Sequence, residues 1–140
     1  MNDYLNVIRN HYADFRGRAR RREYWMFYLI NTLISVLLYL PFFLQTVTAP
    51  DPEAVTPSGL ALLSLIAGGL YSLFILIPSL AVSVRRLHDT GRSGWWYLIN
   101  FVPLIGGLIL LIFLVLDSQP GANRWGPNPK GETVNAAADW

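Results

Sequence analysis

Ser93, His88 and Asp89 lie close together in RRLHDTGRSGWW, residues 85–96. A hydroxyl, an imidazole and a carboxylate are the groups of acyl transfer: the imidazole takes the serine proton and the carboxylate orients the ring. The spacing argues against that chemistry. His88 and Asp89 are neighbours in a short turn, where the carboxylate does not reach one ring nitrogen while the other faces Ser93. The only other histidine is His11, and there is no cysteine. Two histidines without cysteine also make a poor metal site, and "HD" lacks the further His and Asp of metal phosphohydrolases. No glycine-rich phosphate loop follows a strand pattern. The sequence therefore assigns no catalytic residue, metal or cofactor, and a serine-hydrolase reading of GRSG is rejected.

The elements around this stretch explain it better. Only 14% of residues are charged, against about 25% in an ordinary soluble domain. None falls in residues 24–44, 59–84 or 95–116. As helices these runs of 21, 26 and 22 residues extend about 32, 39 and 33 Å, against a hydrocarbon core of about 30 Å. The expectation is an all-α integral membrane protein with three transmembrane helices. Gly68, Gly69 and Pro78 give the second the means to kink. The first run exceeds a signal-peptide core, follows a long polar lead and has Pro50 after Ala49, so it reads as a retained span. In the third run, Pro103, Gly106 and Gly107 leave a second course open, a re-entrant hairpin returning the tail to its starting side. Residues 1–131 read as one membrane domain and 132–140 as a flexible tail.

Arginine placement orients these spans. Residues 1–23 carry six arginines against three acids, the loop 45–58 only Asp51 and Glu53, and residues 85–94 three arginines against Asp89. The N-terminus and the loop at His88 are expected in the cytoplasm and the loop at Glu53 outside. Charge alone leaves the side of the C-terminal tail open. Tyr4, Ile8, His11 and Phe15 recur at helical spacing, opposite Asp3, Asn6, Asn10 and Asp14, which reads as a short amphipathic helix on the cytoplasmic leaflet. Next, FRGRARRREYW, residues 15–25, sets five arginines before Tyr24 and Trp25, suiting anionic headgroups and an interfacial aromatic belt. Arg85 and Arg86 oppose the negative end of the second helix's dipole, Asp89–Gly91 is turn chemistry, Ser93 caps the third helix and Trp95 joins its belt. Asp89 is placed to pair with Arg18, Arg20 or Arg21 at the membrane edge.

Two patterns mark the spans. Tyr24, Tyr28, Asn31, Ser35 and Tyr39 form one polar stripe, and Ala61, Ser64, Gly68 and Ser72 a small-residue stripe; both read as packing faces. Asn31, Ser79 and Asn100 sit at similar depths and are expected to converge as a buried polar cluster, since a carboxamide facing lipid leaves its donors and acceptors unpaired.

Three motifs in order, FRGRARRREYW, RRLHDTGRSGWW and GANRWGPNPKG (residues 121–131), separated by apolar runs, resemble the bacterial inner-membrane family catalogued as domain of unknown function 805. The resemblance covers about residues 3–131. By position its motif residues fall on Phe15, Gly17, Arg18, Arg21, Tyr24 and Trp25; on Arg85, Arg86, Leu87, His88, Asp89, Gly91, Arg92, Ser93 and Trp95; and on Asn123, Arg124, Gly126 and Pro129. Trp125 stands where a smaller aromatic is commoner. The resemblance implies a small multi-span protein of the cytoplasmic membrane and supplies no activity, substrate or cofactor. The resulting expectation is a non-enzymatic scaffold or subunit binding anionic lipid or a membrane partner, with no nucleic acid. The rival is a small-solute or ion transporter or channel subunit. Self-association or assembly with another membrane protein fits either.

Overall fold

A computed structural model describes residues 2–51 and 56–131; the loop at Glu53 and the tail 132–140 lie outside them. The described residues form α1 (Asn2–Asn10), α2 (Arg21–Thr48), α3 (Gly59–Asp89), a 3-10 helix (Gly94–Phe101) and α4 (Gly106–Val115). Among them there is no strand, only an isolated bridge between Asn123 and Gly126. The all-helical expectation therefore holds.

Two of these helices, α2 and α3, are long and apolar enough to cross a membrane. Only 11% and 17% of their most apolar stretches are buried, whereas a soluble core helix is buried along most of its length. Leu37, Leu63 and Leu73 are among the large apolar side chains left exposed. Helix α3 ends where Gly91 takes φ +78°. There Gly91 N–H donates to His88 O (3.0 Å) and Arg92 N–H to Leu87 O (2.9 Å), the paired bonds of a Schellman C-cap. The turn chemistry expected of Asp89–Gly91 is thus realised as a helix stop.

The third apolar run is not one helix. Ser93 caps the 3-10 helix, accepting from Trp95 N–H at 3.5 Å. The chain then breaks at 102–105, with Leu104 at φ +71°. Pro103 supplies no N–H and keeps Val102 extended. Gly106 is required because a Cβ there would stand 1.8 Å from Ile99 O. At ten residues, α4 is only about 15 Å long. Three full-length helices are therefore corrected to two plus a broken segment, bent at the Pro103/Gly106 point that the sequence left open. Gly94 packs against Val84, and Leu114 O and Leu116 O accept from Arg86, so both ends of the segment return to the last turns of α3. Trp96 against Phe113 (5.5 Å, 89°) closes its two arms.

The chain divides into two compact units, residues 28–77 and the remainder. In the 28–77 unit the polar stripe of α2 meets the small stripe of α3. Gly68 lies under Tyr39, whose ring atoms would be 2.5–2.9 Å from a Cβ, and Tyr39 Oη is 3.3 Å from Ser72 Oγ. At the loop end, Gln45 Nε2 donates to Thr56 O (2.8 Å) and Ser58 N–H to Gln45 Oε1 (2.9 Å). The other unit holds α1, whose Val7 is fully buried and whose Tyr4 stacks on Phe27 at 5.8 Å. This unit also holds the charged motifs.

A buried arginine–aspartate layer as the candidate functional site

Asp89 is the centre of the charged layer. As the last residue of α3 it is fully buried, and both oxygens of its carboxylate accept hydrogen bonds. Arg18 Nε donates to Oδ1 at 2.9 Å, while Oδ2 takes Arg86 Nη1 and, at 2.6 Å, Ser118 Oγ. Of the three arginines expected to reach Asp89, Arg18 is the one that does. Arg18 arrives from the turn at Gly17, a glycine at φ +77°, and Ala19 N–H donates to Arg85 O at 3.0 Å. An extended strap is thereby laid along the end of α3.

The remaining donors of both guanidiniums go to backbone carbonyls. Arg18 donates to Gln119 O (2.6 Å), Gly121 O (2.8 Å) and Asp89 O (3.3 Å). Arg86 donates to Leu114 O (3.1 Å), Ala19 O (3.3 Å) and Leu116 O. A guanidinium presents five donors in a fixed fork and fits such an arc of carbonyls, where a lysine cannot. Two cations against one anion leave an excess of positive charge, which these carbonyl dipoles stabilise in place of water.

His88 completes the layer. Its Nδ1 faces Gly17 O at 3.1 Å, its ring stacks on Trp125 (4.5 Å, 10°), and its carbonyl accepts from Asn123 Nδ2 at 2.9 Å. The imidazole nitrogen nearest a partner is therefore committed to backbone, and Ser93 is committed as a cap. Arg124 lies over Trp125 at 3.9 Å and Arg92 over Phe113 at 4.0 Å. Arg85 pairs with Glu23 at 3.0 Å. Outside the spans, Lys130 Nζ lies 2.5 Å from Asp117 Oδ1 and holds that carboxyl below its ordinary range.

The structure thus gathers residues of all three motifs into one layer: Gly17, Arg18, Arg86, His88, Asp89 and Asn123 directly, with Gly91 forming the stop. Arg18, Arg85 and Arg86 are buried, Arg18 and Arg86 among backbone carbonyls and the Asp89 carboxylate and Arg85 against Glu23, with Arg85 Nε left without a hydrogen-bond partner among the described residues. Arg21, Trp25, Trp95 and Arg124 are exposed, Phe15 is 43% exposed, and Tyr24 is buried edge-on to Trp25. Of the expected amide cluster, Asn31 belongs to the 28–77 unit, where Tyr71 Oη donates to its Oδ1. Asn100 is exposed on the 3-10 helix, and Ser79 O accepts from Ser83 Oγ at 2.7 Å. Sequence reasoning missed Glu23, Ser118, Gln119 and Tyr71. For Glu23 a signal existed, a lone acid beside five arginines. For the carbonyl acceptors none did.

A family model described as Protein of unknown function (DUF805) matches residues 12–127, which contain the first two motifs whole and most of the third. The chain belongs to the DUF805 family. Inner membrane protein YhaH of Escherichia coli K12 is 40% identical over 132 residues, covering 94% of this chain and 99% of its own. Inner membrane protein YhaI of the same strain is 43% identical over 127 residues, 91% and 94% of the two chains. Uncharacterized protein YiiR is 33% identical over 89 residues, half of its length. No solved structure matches significantly. The DUF805 match, residues 12–127, contains the strap and every residue that bonds Arg18, Asp89 and Arg86 in the layer.

Proposed function

We propose that this protein is a non-enzymatic component of the bacterial inner membrane, a scaffold or subunit whose cytoplasmic basic face binds anionic lipid or a membrane partner. One observation carries the reading: Arg18, Arg86 and Asp89, the central charges of the motifs, are buried in bonds with one another and with backbone carbonyls. The motif's charge therefore builds a platform, and binding falls to the exposed arginines around it, Arg9, Arg16, Arg20, Arg21 and Arg124. Each basic residue near an anionic surface contributes about 1 kcal/mol. The inner-membrane location is supported by YhaH and YhaI. A transport path is less well supported, because residues 24–44 and 59–84 hold no charge and ion or proton relays generally need one.

The orientation follows from the arginine excess of residues 1–23. The N-terminus and charged layer are cytoplasmic, α2 and α3 cross, the loop 45–58 is outside, and the broken third segment enters and leaves on the cytoplasmic side. Helix α1 lies on that leaflet with Leu5 toward the lipid. The test is the lipid that co-purifies with the full chain in mild detergent. Enrichment of phosphatidylglycerol and cardiolipin over the bulk membrane is expected. Bulk composition, or passage of a solute by the protein in liposomes, would overturn the reading.

A further inference from the structure

A groove of about 470 Å³ lies beside the last turns of α3, in the unit that holds the charged layer. Leu80, Val84 and His88 line it at four-residue steps along one face of that helix, together with Phe15, Ser93 and Leu98. No arginine, lysine, aspartate or glutamate is among its lining residues. Leucine and valine line one end, and histidine and serine the other, where the chain turns back at Gly91. From Leu80 to His88 the helix rises about 12 Å, close to the ~15 Å of half a hydrocarbon core. Trp95, 79% exposed, borders the polar end at the level of an interfacial aromatic belt.

The polar end offers one acceptor and one donor. A carbonyl only accepts, so His88 Nδ1, 3.1 Å from Gly17 O, carries the ring hydrogen, and in the neutral imidazole Nε2 is left as a lone-pair acceptor. No described residue bonds that nitrogen, although His88 is only 7% exposed. Arg85 Nε is the one fully covered side-chain nitrogen or oxygen without a partner among the described residues. His88 Nε2 is therefore open to the surface, and the groove is the opening that His88 lines. Ser93 Oγ accepts from Trp95 N–H, which leaves its own proton to donate. The geometry points to a site for one uncharged lipid alcohol, a diacylglycerol, with its hydroxyl bonded to His88 Nε2 and Ser93 Oγ and an acyl chain along Val84, Leu80 and Leu98. A hydroxyl both donates and accepts, so it uses both partners at once. A phosphate would carry its charge into a groove without a cation. The two oxygens of a hydroquinone stand at opposite ends of its ring, which would set one of them against Leu80 and Val84. Binding there needs no basic face, and it adds an uncharged ligand to the anionic lipid proposed for that face.

The test uses the absence of native cysteine. Full-length Leu98→Cys protein, stripped of lipid in mild detergent at neutral pH, is titrated with dioleoylglycerol, with the same lipid acetylated on its hydroxyl, or with phosphatidic acid of the same chains, and timed for reaction with a maleimide. Leu73→Cys, exposed in the 28–77 unit, is the control. Dioleoylglycerol is expected to slow labelling at Leu98→Cys and not at Leu73→Cys. Acetylation is expected to raise the concentration needed about fivefold, as the loss of one hydrogen bond implies. Asparagine sets its amide nitrogen near the place of Nδ1 and leaves that of Nε2 empty, so His88→Asn with unchanged thermal unfolding is expected to raise it by a similar factor. Equal protection by the acetylated lipid would overturn the hydroxyl site, and stronger protection by phosphatidic acid would overturn the uncharged head. If none of the three lipids protects Leu98→Cys, the groove is not a lipid site. Unchanged protection by dioleoylglycerol in stably folded His88→Asn would remove His88 from it. The comparison of the three lipids leaves His88 in place, so it decides even where that variant does not fold.

Discussion

Replacing Asp89 by asparagine removes the one negative charge between two buried guanidiniums while keeping the side chain's shape. Arg18 Nε is 2.9 Å from Oδ1, and Arg86 bonds Oδ2. At an effective dielectric near 20, each such pair is worth roughly 4 kcal/mol at 4 Å before desolvation. Both arginines keep backbone carbonyl partners, which offsets part of the loss. The carboxamide would still offer one oxygen, but its amide hydrogens would face donors, and only the Ser118 hydroxyl can turn to accept. The expected destabilisation is therefore near the lower end of the range for breaking a buried pair, about 3 kcal/mol. Unfolding in mild detergent at fixed lipid measures it. A double-mutant cycle with Arg18→Met is expected to give a coupling of about 1–3 kcal/mol. A loss within about 0.5 kcal/mol of wild type, or strict additivity in the cycle, would refute the view that this pair holds the layer together.

Gly106→Ala should destabilise by at least about 1–3 kcal/mol, the usual cost of overpacking, because the obstructing atom is the Ile99 carbonyl oxygen; thermal unfolding reads it. Leu104→Gly should instead stabilise by about 1 kcal/mol, since Leu104 is wholly exposed at φ +71° and glycine takes that conformation without strain. Gly68→Val should disturb the packing of α2 on α3, and Tyr39→Ala should partly rescue it, because the clash is with a side chain. The Asp117 carboxyl, held below its ordinary value of 3.8 by Lys130, contributes stability above that value and loses it as pH falls through the depressed folded-state pKa. Amide exchange in residues 118–131 should accelerate over that acid range, and Asp117→Asn should abolish this part of the pH dependence.

How much was legible depended on whether a partner lay in the same pattern. The stripe ending at Tyr39 and the small stripe through Gly68 and Ser72 were both visible as helical periodicities, and they meet. The Arg18–Asp89 pair followed from placing two basic motifs on one side. Arg86 did not follow, because half its partners are the carbonyls of Leu114 and Leu116, which reach it only after the third run has doubled back. Pro103 and Gly106 signalled that a break was possible. Whether the chain continues or returns depends on the Ile99–Gly106 crossing, which no periodicity encodes. Within the 28–77 unit Asn31 accepts from Tyr71, a partner the amide pattern did not signal, since any hydroxyl at the right height on α3 serves an amide equally well.

If the third apolar run enters and leaves on the cytoplasmic side, as proposed, the strap, the layer and residues 117–131 share one compartment. Single cysteines at Ala13, Asp51 and Ala122, all exposed, can be labelled in intact spheroplasts with a membrane-impermeant maleimide. The account predicts that Asp51→Cys reacts at once and that Ala13→Cys and Ala122→Cys react only after the inner membrane is permeabilised. Reaction of Ala122→Cys in intact spheroplasts would contradict it.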